Sequence, residues 1–274
     1  MRFAQIHEQI YCRPWFITTA AHYTLRSLFE AHVLRTGQQP RAAGLDLGDM
    51  VNARRPLVVD AEGIATIHVL GPLGKNLSKM EKSCGATSFE DIQSELAQAN
   101  ANPAVRGILL EIDSPGGTVQ GTPETAALIS GSAKPIVAYT DSMIASAAYY
   151  LAAGARAIVA SPSADVGSIG VYIPWVDRSA MYEAAGLKPD PIVNTGGDLK
   201  ALGFGGTLTE AQRTYLQEQV DLDFTAFKAH IAAHRDVSPA AMRGQTLSGD
   251  PAKAANLVDR IGTLANARQL ILSA

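Results

Sequence analysis

The 274-residue sequence holds only two cysteines, Cys12 and Cys84. That excludes a disulfide framework and fits a cytosolic compartment best. No run of about eighteen apolar residues occurs, so no transmembrane helix is read. The stretch MRFAQIHEQIYCRPWFITTAAHYTLRSLFEAHVLRT lacks a basic region followed by a clean apolar one. Arg13 and Pro14 interrupt the single candidate, and no signal peptide is read. Net charge is −3 with no long basic block. Nucleic acid and anionic membrane are therefore disfavoured as partners. Histidine is also scarce: His7, His22, His32, His68, His230 and His234 leave positions 69–229 empty of it.

What is present alternates. Residues 19–35 read as a helix, with Leu25, Leu28, Phe29 and His32 near one face and Thr18 or Thr19 as its cap. A Gly-, Pro- and polar-rich linker follows, so residues 1–56 are expected to form an N-terminal helical extension and linker, and 57–274 the main domain. Strands are expected at 63–73, 105–113, 135–140, 157–161, 166–173 and 189–195. Helices are expected at 88–101, 122–133, 145–153, 174–186 and 207–235. Ser88 is the expected cap of the first, with Asp91 at the capping-box position. Strands alternating with helices at this spacing predict an α/β fold of βαβ units. The long helix carries Leu216, Val220, Phe224 and Phe227 as an apolar stripe toward the core or a neighbouring subunit. His230 and His234 are expected on its surface.

Three stretches rich in small residues carry the chemistry. In EIDSPGGTVQGT (111–122), Gly116 and Gly117 let backbone N–H groups approach a ligand closely. Such donors can hold an oxyanion or a phosphate. No Lys-Ser/Thr follows the glycines, so this is not a P-loop; a plain turn between strand and helix is the alternative. In TDSMIASAAYYLA (140–152), Ser146 stands at a helix mouth, either as a nucleophile or as an ordinary N-cap. Tyr149 and Tyr150 read as packing residues, and Asp113 and Asp141 as turn or cap residues. In ADVGSIGVYIPW (164–175), glycines break a strand pattern where an extended substrate can add as a strand.

A nucleophilic serine needs a base. With no histidine in 69–229, a Ser-His-Asp triad is poorly supported. Lys200 is the alternative, in NTGGDLKALGFGGT (194–207), beside Leu199, Ala201, Leu202 and Phe204 and flanked by Gly196, Gly197, Gly203, Gly205 and Gly206. A free lysine, with pKa near 10.4, is about 0.1% neutral near pH 7.5. One shifted to about 8 by an apolar pocket is about a quarter neutral, at a cost of about 3 kcal/mol.

Four segments together, VLGPL (69–73), ILLEIDSPGG (108–117), SMIASAAYYLAAGARAIVASPSADVGSIGV (142–171) and GDLKALGFGGTLTEAQ (197–212), resemble the SppA-type signal peptide peptidase family of serine proteases. The likeness is nearest to its phage and prophage head-maturation branch (minor capsid protein C) and covers roughly residues 57–265. The resemblance implies a ClpP/crotonase-like fold of repeated ββα units with a long C-terminal helix. It implies a Ser-Lys dyad with no cofactor and no metal. By motif, Ser146 is the nucleophile and Lys200 the base. Gly117 and Ala147 are the oxyanion donors through their N–H groups, and Ser168 is the supporting hydroxyl. Gly116, Gly167, Ile169 and Gly170 are expected to bind substrate. It further implies a homo-oligomeric ring in which serine and lysine can come from neighbouring subunits. Peptide or protein substrates and capsid, portal or scaffold partners are expected, with a cytoplasmic or procapsid location.

The sequence departs from the family in two ways. Ala147 and Ala148 stand where many members have Gly-Gly, which preserves the N–H groups with less backbone freedom. The membrane anchor of some members is not read, which favours capsid processing over signal-peptide clearance; the C-terminal scaffold extension of phage members is not read either, so scaffolding by the same polypeptide is not expected. The alternatives are an SppA-like peptidase degrading cleaved signal peptides, a histidine-based ClpP-like protease, a crotonase-like enzyme acting on acyl thioesters, and an inactive capsid-associated structural ring.

Overall fold

The computed structural model describes residues 14–35, 57–83, 85–202 and 206–274. Cys12, Cys84, Gly203, Phe204 and Gly205 lie outside them. The chain divides into two compact units, a larger one of residues 16–170 and 227–274 and a smaller one that includes 171–226.

In chain order the elements begin with β1 (Trp15–Ile17), α1 (Thr19–Arg35), β2 (Val58–Val59), β3 (Ile64–Leu70), β4 (Leu73–Gly74), α2 (Lys79–Ser83), β5 (Thr87–Ser88) and α3 (Phe89–Ala101). Then come β6 (Gly107–Asp113), β7 (Gly116–Thr118), α4 (Thr122–Ser130), β8 (Ile136–Thr140), β9 (Met143–Ala145), α5 (Ala147–Ala153), β10 (Ala157–Ala160) and β11 (Asp165–Gly167). The remainder are α6 (Ser179–Ala184), α7 (Glu210–His234), β12 (Thr246–Leu247), α8 (Gly249–Ala254), β13 (Arg260–Ile261) and α9 (Leu264–Leu272), with a short 3₁₀ turn at Pro239–Ala241.

The larger unit is built on a six-stranded sheet of order β13-β10-β8-β6-β3-β2, parallel except for β2. Its central strands are near-continuous apolar runs because helices cover parallel sheets on both faces. Ile64, Ile67, Ile108, Leu110 and Val137 are fully buried. After each of the two central strands β6 and β8 the chain makes a short strand in another sheet and then a helix: β6-β7-α4, then β8-β9-α5. The expected ββα repeat is thus present. The short strands collect into the orders β1-β7-β4-β5 and β12-β11-β9. Helix α9 closes one face, with Ala267 and Ile271 packed on Ile64, Leu109, Val137 and Val159.

Strand β1 lies inside the segment read as an extension, yet it joins the β7 sheet, and Phe16 and Ile17 are buried. Thr18 then caps α1, accepting the Ala21 N–H at 3.4 Å. Phe16 meets Phe227 of α7 at a ring separation of 4.8 Å, and Tyr150 meets Phe227 at 5.0 Å.

Several local expectations are corrected. Ser88 does not cap α3; its hydroxyl donates to the Glu90 carboxylate, and Asp91 pairs with Lys82 at 2.6 Å. The strand expected over 166–173 ends at Gly167, because Ser168 turns the chain at φ 53. The helix expected over 174–186 is confined to α6, after Pro174 and Asp177. No strand forms over 189–195, where Pro189 and Pro191 cannot donate to a ladder. His230 is half-buried and not fully on the surface; it stacks on Tyr150 at 4.0 Å.

The smaller unit differs in kind. None of its described residues between 171 and 226 is buried. Ile192 is fully exposed, and Met181, Leu187 and Leu222 are more than half exposed. Asp177 holds it locally, accepting from the Ser179 and Thr207 hydroxyls at 2.5 and 2.7 Å. Gln212 donates to the Asp198 carbonyl at 2.9 Å.

Candidate active site

Ser146 sits between the end of β9 and the first turn of α5. Its backbone is at φ 55 and ψ −115. A non-glycine residue there costs on the order of 1–3 kcal/mol and persists only where its surroundings hold it. Two bonds do so: Ser146 N donates to the Gly167 carbonyl at 2.8 Å, and Ser146 O accepts from Tyr150 N at 2.9 Å. The residue is 1% exposed, and its hydroxyl has no hydrogen-bond partner among the described residues. A buried hydroxyl left unpaired costs about 1–3 kcal/mol more. An ordinary N-cap would spend its oxygen on the helix, and Ser146 makes no such bond. The N-cap alternative is therefore set aside.

Gly116 lies against this serine, and Gly117 against Leu73. A methyl group on Gly116, whose φ is 101, would stand 2.9 Å from Ala147 N and 2.9 Å from Ser146 Cβ. On Gly117 it would stand 2.0 Å from the Leu73 carbonyl oxygen. Only glycine admits these approaches, and the one at Gly116 puts the Ser-Pro-Gly-Gly turn in contact with the Ser146 turn. Ala147 opens α5, where an N–H has no partner within the helix. Strands β9 and β11 are parallel and pair Ala145 with Gly167. The next residue on each strand is a serine at positive φ: Ser146 on one, Ser168 on the other. Ser168 is 7% exposed.

The expected substrate strand is partly occupied. Ser168 N donates to the Gln245 carbonyl at 2.8 Å, and the Ile169 carbonyl accepts from Gly244 N at 3.0 Å. Gly167 spends its carbonyl on Ser146, and a methyl on Gly170 would stand 3.3 Å from Gly244 Cα. Ile169 itself is fully buried. The Ser168 N–H and Ile169 carbonyl are thus unavailable to an added strand.

Lys200 belongs to the smaller unit. It is exposed, and its N–H closes a turn on the Gly197 carbonyl at 2.8 Å. Leu199 beside it is 36% exposed.

Two residues of this neighbourhood were given no part in the site by the sequence. Ser114 is fully buried; its hydroxyl donates to the Gly71 carbonyl at 2.6 Å and accepts from Gly116 N at 3.2 Å. His230 Nε2–H donates to the Tyr150 carbonyl at 2.9 Å. That carbonyl lies in the last turn of α5, where carbonyls lack helical partners. Burial, more than the adjacent His234, lowers the His230 pKa to about 4. This imidazole is therefore neutral near pH 7 and serves α5 as a C-terminal cap. Serine within the Ser-Pro-Gly-Gly turn was a visible signal; the histidine, eighty positions from Tyr150, gave none.

A profile of Peptidase family S49 matches residues 129–272. Capsid assembly protease C of Escherichia phage lambda is 28% identical over 262 residues, covering 93% of this chain and 60% of that protein. Head-tail preconnector protein GP5 of Enterobacteria phage P21 is 30% identical over 199 residues, covering 71% and 40%. Protease 4 of Salmonella typhi is 28% identical over 191 residues, covering 66% and 30%. The chain thus spans less than two thirds of each relative. Among solved structures, an enoyl-CoA hydratase/isomerase family member aligns over 79% of this chain at TM-score 0.41 and 16% identity. No inference about chemistry follows from a likeness at that level. No described helix is long and apolar enough to cross a membrane.

Proposed function

This chain belongs to peptidase family S49, and on that premise we propose that it is a serine endopeptidase with Ser146 as nucleophile and Lys200 as general base. The observation that carries the reading is Ser146 itself: a strained, buried serine whose hydroxyl is unpaired, held against a double-glycine turn. Backbone strain and an unpaired buried hydroxyl at one residue are typical of functional positions.

In the proposed reaction the neutral Lys200 amine takes the Ser146 proton as Oγ attacks the peptide carbonyl carbon. The resulting oxyanion is held by the Gly117 and Ala147 N–H groups. Its collapse breaks the C–N bond, and the leaving amine takes the proton from Lys200. Water, deprotonated by Lys200, then cleaves the acyl ester and restores Ser146. Ser168, one residue past the Gly167 partner of Ala145, orients the lysine. Because Ser146 is 1% exposed, acylation requires an opening that admits the peptide.

The substrates are proposed to be capsid-related proteins and the setting a procapsid, since two of the relatives are a capsid assembly protease and a head-tail preconnector protein. A homo-oligomeric ring is proposed as the working form. Within the smaller unit no residue from 171 to 226 is buried among those described, and small folds need a core. Association would supply one, and with it the apolar setting that a lysine base requires.

The test is labelling of the purified, assembled protein with a fluorophosphonate, locating the adduct by mass spectrometry, beside Ser146→Ala and Lys200→Ala. The expected result is an adduct on Ser146 that is lost in both variants. An adduct elsewhere, or full peptidase activity in Ser146→Ala, overturns the reading. A folded, assembled protein that takes no label supports an inactive structural ring instead.

A further inference from the structure

Ser114 is a buried hydroxyl that the proposed reaction does not use, and it joins three segments of the site. Its Oγ–H donates to the Gly71 carbonyl at 2.6 Å, in the turn between β3 and β4. The same oxygen accepts the Gly116 N–H at 3.2 Å. Its own N–H donates to the Met143 carbonyl at 3.0 Å, and its carbonyl accepts from Ala145 N at 3.1 Å. The last two bonds bracket Ile144 on β9, and Ala145 immediately precedes Ser146. One residue thus fixes the glycine turn and the nucleophile strand in a common frame.

The bond to Gly116 has a directional consequence. A backbone N–H committed to Ser114 Oγ is not free to bind a substrate oxygen. With the Gly116 peptide held this way, the next peptide plane, which carries the Gly117 N–H, has its orientation set at a residue whose φ is 101. Glycine by itself leaves that orientation free, because it populates many backbone conformations. Pro115 precedes the turn and has no N–H with which to hold it. The Ser114 hydroxyl is therefore the side chain available to fix the turn from within.

We propose that Ser114 is a positioning residue of the active site: its hydroxyl locks the Gly116 peptide so that the Gly117 N–H faces the oxyanion beside Ser146. The proposal rests on the peptidase reading above and adds a residue that acts through the backbone and does not touch substrate. Misplacement of a reacting group by about 1 Å costs on the order of 100-fold in rate, and this sets the scale of the expected effect.

The experiment compares the wild type with Ser114→Ala, Ser114→Thr and Ser114→Cys in the assembled protein. Two readouts are taken: fluorophosphonate labelling of Ser146, resolved into initial affinity and maximal rate, and amide exchange of the segment 111–122. Ser114→Ala is expected to lower the maximal labelling rate about 10- to 100-fold with affinity unchanged, and to speed exchange in 111–122. Ser114→Thr keeps the hydroxyl and is expected to restore the rate to within a few-fold. Ser114→Cys, a weak donor and acceptor, is expected to fall between. Should Ser114→Ala not fold, the cysteine variant decides. Wild-type labelling by the most conservative variant that lacks the hydroxyl and folds, with unchanged exchange, overturns the proposal. If the wild type takes no label, the peptidase reading fails separately. The exchange data then judge the Ser114 lock alone: faster exchange in 111–122 upholds it, and unchanged exchange overturns it.

Discussion

Gly116 and Ser146, thirty positions apart, are so close that a single methyl group on the first would stand 2.9 Å from the Cβ of the second. The same methyl would stand 2.1 Å from the Phe16 carbonyl oxygen. The chain thus brings β1, the glycine turn and the Ser146 turn to one point, with no room for a side chain between them.

Gly116→Ala is accordingly expected to destabilise the protein by about 2–4 kcal/mol, through strain at positive φ and overpacking. Chemical denaturation measures it. A loss below about 0.5 kcal/mol would mean that the turn relaxes freely and that its contact with Ser146 is not fixed.

Ser146→Gly is expected to raise stability while ending any acylation. It removes a residue held at φ 55 and a buried hydroxyl without a partner. The expected gain is about 1 kcal/mol, or roughly 2–4 °C in Tm for a chain of this size. Calorimetry of the variant beside wild type decides; a fall in Tm would show that the serine is not strained in solution.

His230 confers a pH dependence whose sign follows from burial. Its folded-state pKa is lowered to about 4, against an ordinary 6.5. Between these values the unfolded chain binds a proton that the folded chain does not. Stability contributed by neutral His230 is therefore complete above about pH 6.5 and is lost progressively as pH falls toward 4. Thermal melts from pH 4 to 8 are expected to show this slope, and His230→Gln, which can still donate to the Tyr150 carbonyl, to flatten it. An identical slope in the variant would assign the effect to other groups.

Leu187→Asp combined with Ile192→Asp tests the proposed ring. Both side chains are more than half exposed, so neither change disturbs a buried contact within the chain. Sedimentation velocity is expected to shift from an assembly toward the monomer. An unchanged distribution, with both variant side chains in place, would remove this face from the subunit contact.

Legibility in the sequence followed the range of the interaction. Apolar runs such as Gly107–Asp113 and Ile136–Thr140 declared buried parallel strands, because a strand covered on both faces needs no polar alternation. The small-residue stretches marked the turns at 116–117 and 146, since close backbone approach excludes larger side chains. Motif order marked the family. Local hydrogen-bond choices were not legible: Ser88 donates to Glu90, and Ser168 ends β11 two residues after a glycine-broken pattern begins.

What the sequence by itself determined was the alternation of strands and helices, the absence of histidine from 69–229 and the motif order that marks the family; the ββα order and the proposed roles of Ser146, Gly117, Ala147 and Lys200 came with that resemblance. Only the tertiary structure decided the rest. It placed Ser114 among Gly71, Gly116, Met143 and Ala145, set His230 beneath the Tyr150 carbonyl, and drew β1 into the sheet beside β7. It also left residues 171–226, with Lys200 among them, without a buried side chain among those described. The physical reason is common to these contacts. Chain-local preferences fix strands, helices and turns, whereas a contact between residues about 30 to about 100 positions apart exists only once the sheet has brought them together, and no local pattern encodes which partner that will be.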